Sequence, residues 1–129
     1  MATQPTGTTA PSLLPVESGG TQTIAKFFRA LGDPTRLRLL EYLLHAEHTV
    51  GECVTHVGLS QGRVSTHLAC LSDCGYVEVR RSGRKAFYRV ADPRVADLVL
   101  LARSLACDNA AALTDCARIA PLPDGREQP

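Results

Sequence analysis

The stretch TVGECVTHVGLSQGRVSTHLACLSDCG, running from Thr49 to Gly75, decides the fold. Thr49-Val50-Gly51-Glu52 has the form of a capping box, in which the Thr hydroxyl and the Glu carboxylate satisfy the free amides of a helix start. The short helix that follows is expected to reach Val57, where Gly58 ends it. Ser60 caps a second helix. Val64, Leu68 and Leu71 recur along one of its faces, and Gly75 stops it. Two short helices joined by Gly58-Leu59-Ser60 read as a helix-turn-helix.

Beyond Gly75 the period changes to two. Tyr76-Val77-Glu78-Val79-Arg80 and Ala86-Phe87-Tyr88-Arg89-Val90 both alternate, with Arg81-Ser82-Gly83-Arg84-Lys85 as the loop of a β-hairpin. Asp92-Pro93 then opens a helix carried by Val95, Leu98, Val99, Ala102 and Leu105 to about Ala106. Ala110 to Arg118 extends this helix or forms a separate turn. Upstream, Ile24, Phe27, Phe28 and Leu31 recur at helical spacing up to Gly32. Asp33 is a good N-cap and Pro34 suits the first helical position, so a further helix runs from there to about His45. The expected fold is mainly α with a β-hairpin wing, a winged helix-turn-helix. Residues 1–20 and 119–129, poor in large apolar groups, are read as disordered tails. That leaves 21–118 as one domain in a chain of 129 residues.

No apolar run approaches the roughly 18 residues of a membrane span. The N-terminus lacks the basic-then-apolar pattern of a secretory signal, so a cytoplasmic location is expected. Net charge is +1 overall, but it is uneven. Residues 61–94 hold Arg63, Arg80, Arg81, Arg84, Lys85, Arg89 and Arg94 against Asp73, Glu78 and Asp92. Positive charge focused on a winged helix points to nucleic acid. Gln61, Arg63, Ser65 and Thr66 are the candidates to read base edges in the major groove of double-stranded DNA. Arg81, Arg84 and Lys85 on the wing are the candidates for phosphate. The chain shows no Gly-rich phosphate loop and no Gly-x-Ser-x-Gly. Its only nucleophile-like set, Cys53 and His56, has an easily accidental spacing, so no enzymatic activity is expected. Cys53, Cys70, Cys74, Cys107 and Cys116 make an odd number of thiols in a chain without an export signal. Metal ligation, redox chemistry and plain burial are all open to them.

Three segments carry a family resemblance. Phe28-Arg29-Ala30-Leu31-Gly32-Asp33-Pro34-Thr35-Arg36-Leu37-Arg38-Leu39-Leu40 resembles the entry segment of the ArsR/SmtB family of bacterial metal-sensing repressors. Gly58-Leu59-Ser60-Gln61-Gly62-Arg63-Val64-Ser65-Thr66-His67-Leu68 is similar to that family's recognition helix. Gly75-Tyr76-Val77, Gly83-Arg84 and Tyr88-Arg89-Val90 are similar to its wing. The resemblance implies a homodimer paired through the first and last helices, here Ile24 to Leu31 and Val95 to Leu105. It also implies a repressor that leaves its operator when metal binds. The arsenic-type Cys-x-Cys is absent, since Glu52-Cys53-Val54-Thr55-His56 has a single Cys. The zinc-type Asp-x-His is absent too, since the segment reads Asp92-Pro93-Arg94 and no His follows. Leu68-Ala69-Cys70-Leu71-Ser72-Asp73-Cys74-Gly75 instead resembles the actinobacterial cadmium/lead sensors, which add a third Cys from the C-terminal tail. Cys116 falls close to that third position. Thr23-Ile24-Ala25-Lys26-Phe27-Phe28 is similar to the entry of the mercury-responsive members.

Residues four apart on a helix share a face, with Cβ atoms about 5–6 Å apart. Metal–thiolate bonds of about 2.3 Å place two sulfurs about 3.8 Å apart at a tetrahedral angle and about 4.6 Å apart if linear. Cys70 and Cys74 can meet either demand, and soft thiolates select soft metals. Asp73 lies about 100° round the helix from Cys74. The expected inducer is Hg(II), with Cd(II) or Pb(II) as the alternative because three thiolates suit them. Cys116 is the expected third ligand and Cys107 the less favoured one. Nine residues apart, the two face opposite ways unless the helix breaks near Asp108-Asn109. Cys53 is read as core, and His67 as structural or a phosphate contact. A thiol redox sensor on the same fold, oxidised at Cys70 or Cys74, is the other reading.

Overall fold

The computed structural model describes residues 18–120. The element order is α1 (Ser18–Leu31), α2 (Pro34–Leu43), β1 (His48–Thr49), α3 (Val50–Val57), α4 (Gln61–Asp73), β2 (Val77–Ser82), β3 (Lys85–Val90), α5 (Pro93–Asp108) and α6 (Ala110–Asp115). Four helix starts follow from their caps. Asp33 accepts from the Arg36 amide at 3.0 Å, with Pro34 opening the helix. Thr49 and Glu52 form the reciprocal capping box on α3. Ser60 accepts from the Arg63 amide on α4 at 3.3 Å, and Asp92 from the Arg94 amide on α5 at 2.8 Å. The break between α1 and α2 is held by Arg36, whose Nε donates to the Ala30 carbonyl at 2.6 Å.

The stops follow from glycine. Gly58 takes φ +74° at the end of α3, and its amide donates to the Val54 carbonyl. Gly75 takes φ +85° after α4, and the Tyr76 amide returns to the Leu71 carbonyl at 2.9 Å. These are left-handed caps that a side chain would strain.

Leu39, Leu40, Leu43, Cys53, Val57, Val64, Leu68, Leu71, Tyr76 and Val99 form the buried core between the helix-turn-helix, α2 and α5. The antiparallel sheet has the order β1-β3-β2, with Val77 opposite Val90 and Ser82 opposite Lys85.

The observed boundaries differ from the expected ones in four places. First, α1 begins at Ser18, inside the segment read as an N-terminal tail. Second, the hairpin loop is shorter than Arg81–Lys85. Both strands run on to a two-residue turn, Gly83-Arg84, with Gly83 at φ +60° in the first turn position. Third, His48–Thr49 adds a short strand against β3. Fourth, the last helix does break, and α6 starts after Asn109. The remaining parts of the expected tails, 1–17 and 121–129, lie outside the described residues.

Candidate DNA surface and thiol site

The pattern of α4 sends Val64, His67, Leu68 and Leu71 inward. Gln61 and Thr66 are left exposed, and Arg63 and Ser65 half-buried. The Thr66 hydroxyl donates to the Gly62 carbonyl at 3.0 Å, which fixes its rotamer. All four residues expected to read bases therefore lie outside the core, on the first turns of the helix. Burial of His67 makes it structural rather than a phosphate contact.

On the wing the cations divide into two groups. Arg80 pairs with Glu47 through two nitrogens, at 2.6 and 3.3 Å, and lies over the Phe87 ring. Arg89 pairs with Glu78 at 2.7 Å, and Arg94 with Asp92 at 2.8 Å. These contacts hold the Glu47 and Asp92 carboxyls below their ordinary range, chiefly through the Arg80 and Arg94 side-chain hydrogen bonds. Arg81, Arg84 and Lys85 are exposed around the turn and, among the described residues, form no ion pair. The positive charge of residues 61–94 is thus neutralised along the strands and left uncompensated at the tip.

Cys70 and Cys74 occupy the end of α4 and are both half-buried. The Cys74 amide donates to the Cys70 carbonyl at 3.0 Å, and Cys74 is the helix C-cap. Burial raises the Cys74 thiol above its ordinary value, Cys70 and Asp73 add to that, and the Lys26 charge opposes it. A cleft lined by Thr23, Lys26, Phe27, Asp73 and Cys74 separates α1 from this end of α4. Asp73, expected to lie well round the helix from Cys74, lines the same cleft because the helix ends there. Below the cleft the Phe27 and Tyr76 rings stack at 4.3 Å, and the Tyr76 hydroxyl donates to the Phe27 carbonyl at 2.9 Å.

The other thiols are elsewhere. Cys53 is fully buried, and desolvation pushes it up to about 11. Cys107 is exposed on the last turn of α5. Cys116 lines a groove with Leu105, Ala106, Asn109, Ala112 and Leu113. No three His, Cys, Asp or Glu side chains come together to hold a metal ion among the described residues of one chain. Neither Cys107 nor Cys116 therefore joins the Cys70–Cys74 pair within a single chain. What sequence reasoning missed is the α1 wall of the cleft, Lys26 above all. No local pattern signals a contact between helices this far apart in the chain.

Several large apolar side chains are left exposed, most of them on the helices that resemblance assigns to pairing. Ile24 and Phe28 on α1, Leu100, Leu101 and Leu105 on α5, and Leu113 on α6 are all exposed. Among the described residues no helix is long and apolar enough to cross a membrane.

Comparison with known proteins agrees with this architecture. Residues 33–79 match the description "Bacterial regulatory protein, arsR family". The "Probable mercury resistance operon repressor" of Streptomyces lividans is 66% identical over 97 residues, 75% of this chain and 78% of that protein. The "HTH-type transcriptional regulator CmtR" of Mycobacterium bovis is 42% identical over 73 residues, 57% of this chain and 62% of that one. Among solved structures, Mycobacterium tuberculosis Rv0081 superposes with a TM-score of 0.69 at 33% identity, covering 73% of this chain and 95% of that one. The solution structure of a "homodimeric winged helix-turn-helix DNA-binding domain" from Mycobacterium bovis gives 0.67 at 29% identity, covering 78% and 92%. With a capped helix-turn-helix, a glycine-turned wing and relatives of this kind on the page, the chain belongs to the ArsR family of bacterial regulatory proteins.

Proposed function

We propose that the protein is a homodimeric transcriptional repressor, working in the cytoplasm, that holds operator DNA and is released from it by a soft thiophilic metal ion. Hg(II) is the favoured inducer, since the Streptomyces lividans relative is named for mercury resistance. Cd(II) or Pb(II) is the alternative. Gln61, Arg63, Ser65 and Thr66 read the major groove, and Arg81, Arg84 and Lys85 hold phosphate. Cys70 and Cys74 bind the ion as thiolates. Cys116, close to the family's third position, completes the set in preference to Cys107, and it does so from the partner subunit, since neither thiol meets the pair within one chain. The exposed apolar faces of α1 and α5 pair the subunits.

One observation carries this reading: two half-buried cysteines one turn apart end the same helix whose start presents the base-reading side chains. A donor set of two adjacent sulfurs fits a soft ion and not a hard one. Metal there does not cover the groove. It acts by favouring a conformer whose two recognition helices no longer match the operator, which requires only differential affinity for the two states. Thiols must lose protons to bind, so metal binding weakens as pH falls.

The test is operator binding followed by fluorescence anisotropy under anaerobic, reducing conditions. Cys70→Ser and Cys74→Ser should bind operator like the unmodified protein yet fail to release it with Hg(II) or Cd(II). Cys116→Ser should lose release in part. Should both α4 variants respond to metal normally, the site lies elsewhere. Release by oxidant without metal supports the redox reading instead.

A further inference from the structure

We infer that Lys26, on the α1 wall of the cleft beside Cys74, is a positioning residue that sets how many thiolates the bound metal takes, favouring three over two. The inference rests on Cys70 and Cys74 being metal ligands.

The cleft has two walls. Thr23, Lys26 and Phe27 come from α1, and Asp73 and Cys74 from the end of α4. Lys26 and Asp73, of opposite charge, line the same cleft as Cys74 from its two walls. The α1 wall is held in place beneath the cleft by the stacked Phe27 and Tyr76 rings and the Tyr76 hydrogen bond to the Phe27 carbonyl. Lys26 therefore lines the cleft beside Cys74 from a helix braced at Phe27.

Charge does the rest. A divalent ion with two thiolates is neutral, and no nearby cation prefers it. With a third thiolate the complex carries one negative charge at the sulfur cluster, and a neighbouring ammonium stabilises it while a neighbouring carboxylate does the reverse. Asp73 and Lys26 bracket Cys74 with opposite signs, so removing Lys26 leaves only the unfavourable one. Cd(II) and Pb(II), which need the third thiolate, are stabilised by Lys26. Two-thiolate Hg(II) is indifferent to it. The field is partly exposed to solvent, so its influence falls with added salt.

The experiment is metal titration of the full-length protein, followed by the sulfur-to-metal charge-transfer bands with a competing thiol as buffer. Lys26→Met, Lys26→Glu and Lys26→Arg are each measured with Cd(II) and with Hg(II), at low and high salt. At low salt Lys26→Met should bind Cd(II) about fivefold more weakly and Lys26→Glu about tenfold more weakly. Lys26→Arg should restore wild-type affinity. Two-thiolate Hg(II) binding should stay within about twofold throughout. The Cd(II) differences should shrink at high salt, which a purely structural role would not produce. If Lys26→Glu binds Cd(II) like wild type while Cys74→Ser does not, Lys26 has no such role and the thiol site stands. If Cys70→Ser and Cys74→Ser both bind Cd(II) like wild type, the thiol site itself is wrong, and the inference falls with it.

Discussion

Cys53 and Cys74 lie on neighbouring helices of one motif, yet their surroundings give them opposite chemistry. Cys53 is sealed in the core and its thiol is pushed up to about 11. Its thiolate is scarce at neutral pH, and an electrophile cannot reach it. Iodoacetamide under native conditions should label Cys107 first, the Cys70–Cys74 pair more slowly and Cys53 last, as read by mass spectrometry over time. The same burial makes a pH prediction. Cys53 holds its proton longer when folded than when unfolded, so between pH 9 and 11 the folded state binds more protons. Stability should therefore fall as pH rises through that window, by about 1–3 kcal/mol, and a Cys53→Ala variant should show less of the loss in denaturant titrations. At this scale the thiol pair was legible from its local i, i+4 spacing, and the core role of Cys53 from the family resemblance. Lys26 beside Cys74 was not. Neither was Tyr42, stacked between His48 at 3.8 Å and His56 at 3.9 Å. Both depend on how separate elements pack.

Helix caps and turns carry the next level of order. Gly58 sits at φ +74° with open space where a Cβ would go, so Gly58→Ala meets only backbone strain. It should cost about 1 kcal/mol in urea unfolding, with metal binding intact. The wing makes the sharper prediction. Arg84 stands at a two-residue turn with its charge uncompensated, whereas Arg80 and Arg89 are committed to Glu47 and Glu78. Arg84→Ala should weaken binding to specific and random DNA alike and reduce the salt slope by about one. Arg89→Ala should change that slope less. Helix starts were legible because Asp33, Thr49, Ser60 and Asp92 are strong caps. The strand His48–Thr49 was not, since two residues cannot show a period. The loop was drawn too long because Arg81, Ser82 and Lys85 look like loop residues, and only cross-strand pairing reveals them as strand.

For the whole molecule, the proposed pairing is tested at the uncovered leucines of α5. Leu101 is 61% exposed and Leu105 55%, one turn apart on α5, and Phe28 on α1 is 55% exposed. A Leu101→Glu, Leu105→Glu double variant should sediment as a monomer at micromolar concentration and lose operator affinity. An unchanged dimer would show that another face pairs. The helical layout of α5 could be read from apolar spacing, and the break near Asp108-Asn109 was one of two readings the sequence left open, which the structure decides. Tyr76 has one more consequence, and it is optical. The chain has no tryptophan and three tyrosines, so its ultraviolet emission belongs to Tyr42, Tyr76 and Tyr88. Tyr42 is sandwiched by imidazoles, and Tyr76 is buried against Phe27, which lines the cleft beside Cys74. A heavy atom on that sulfur should darken Tyr76, giving the protein a label-free glow that reports when its inducer arrives.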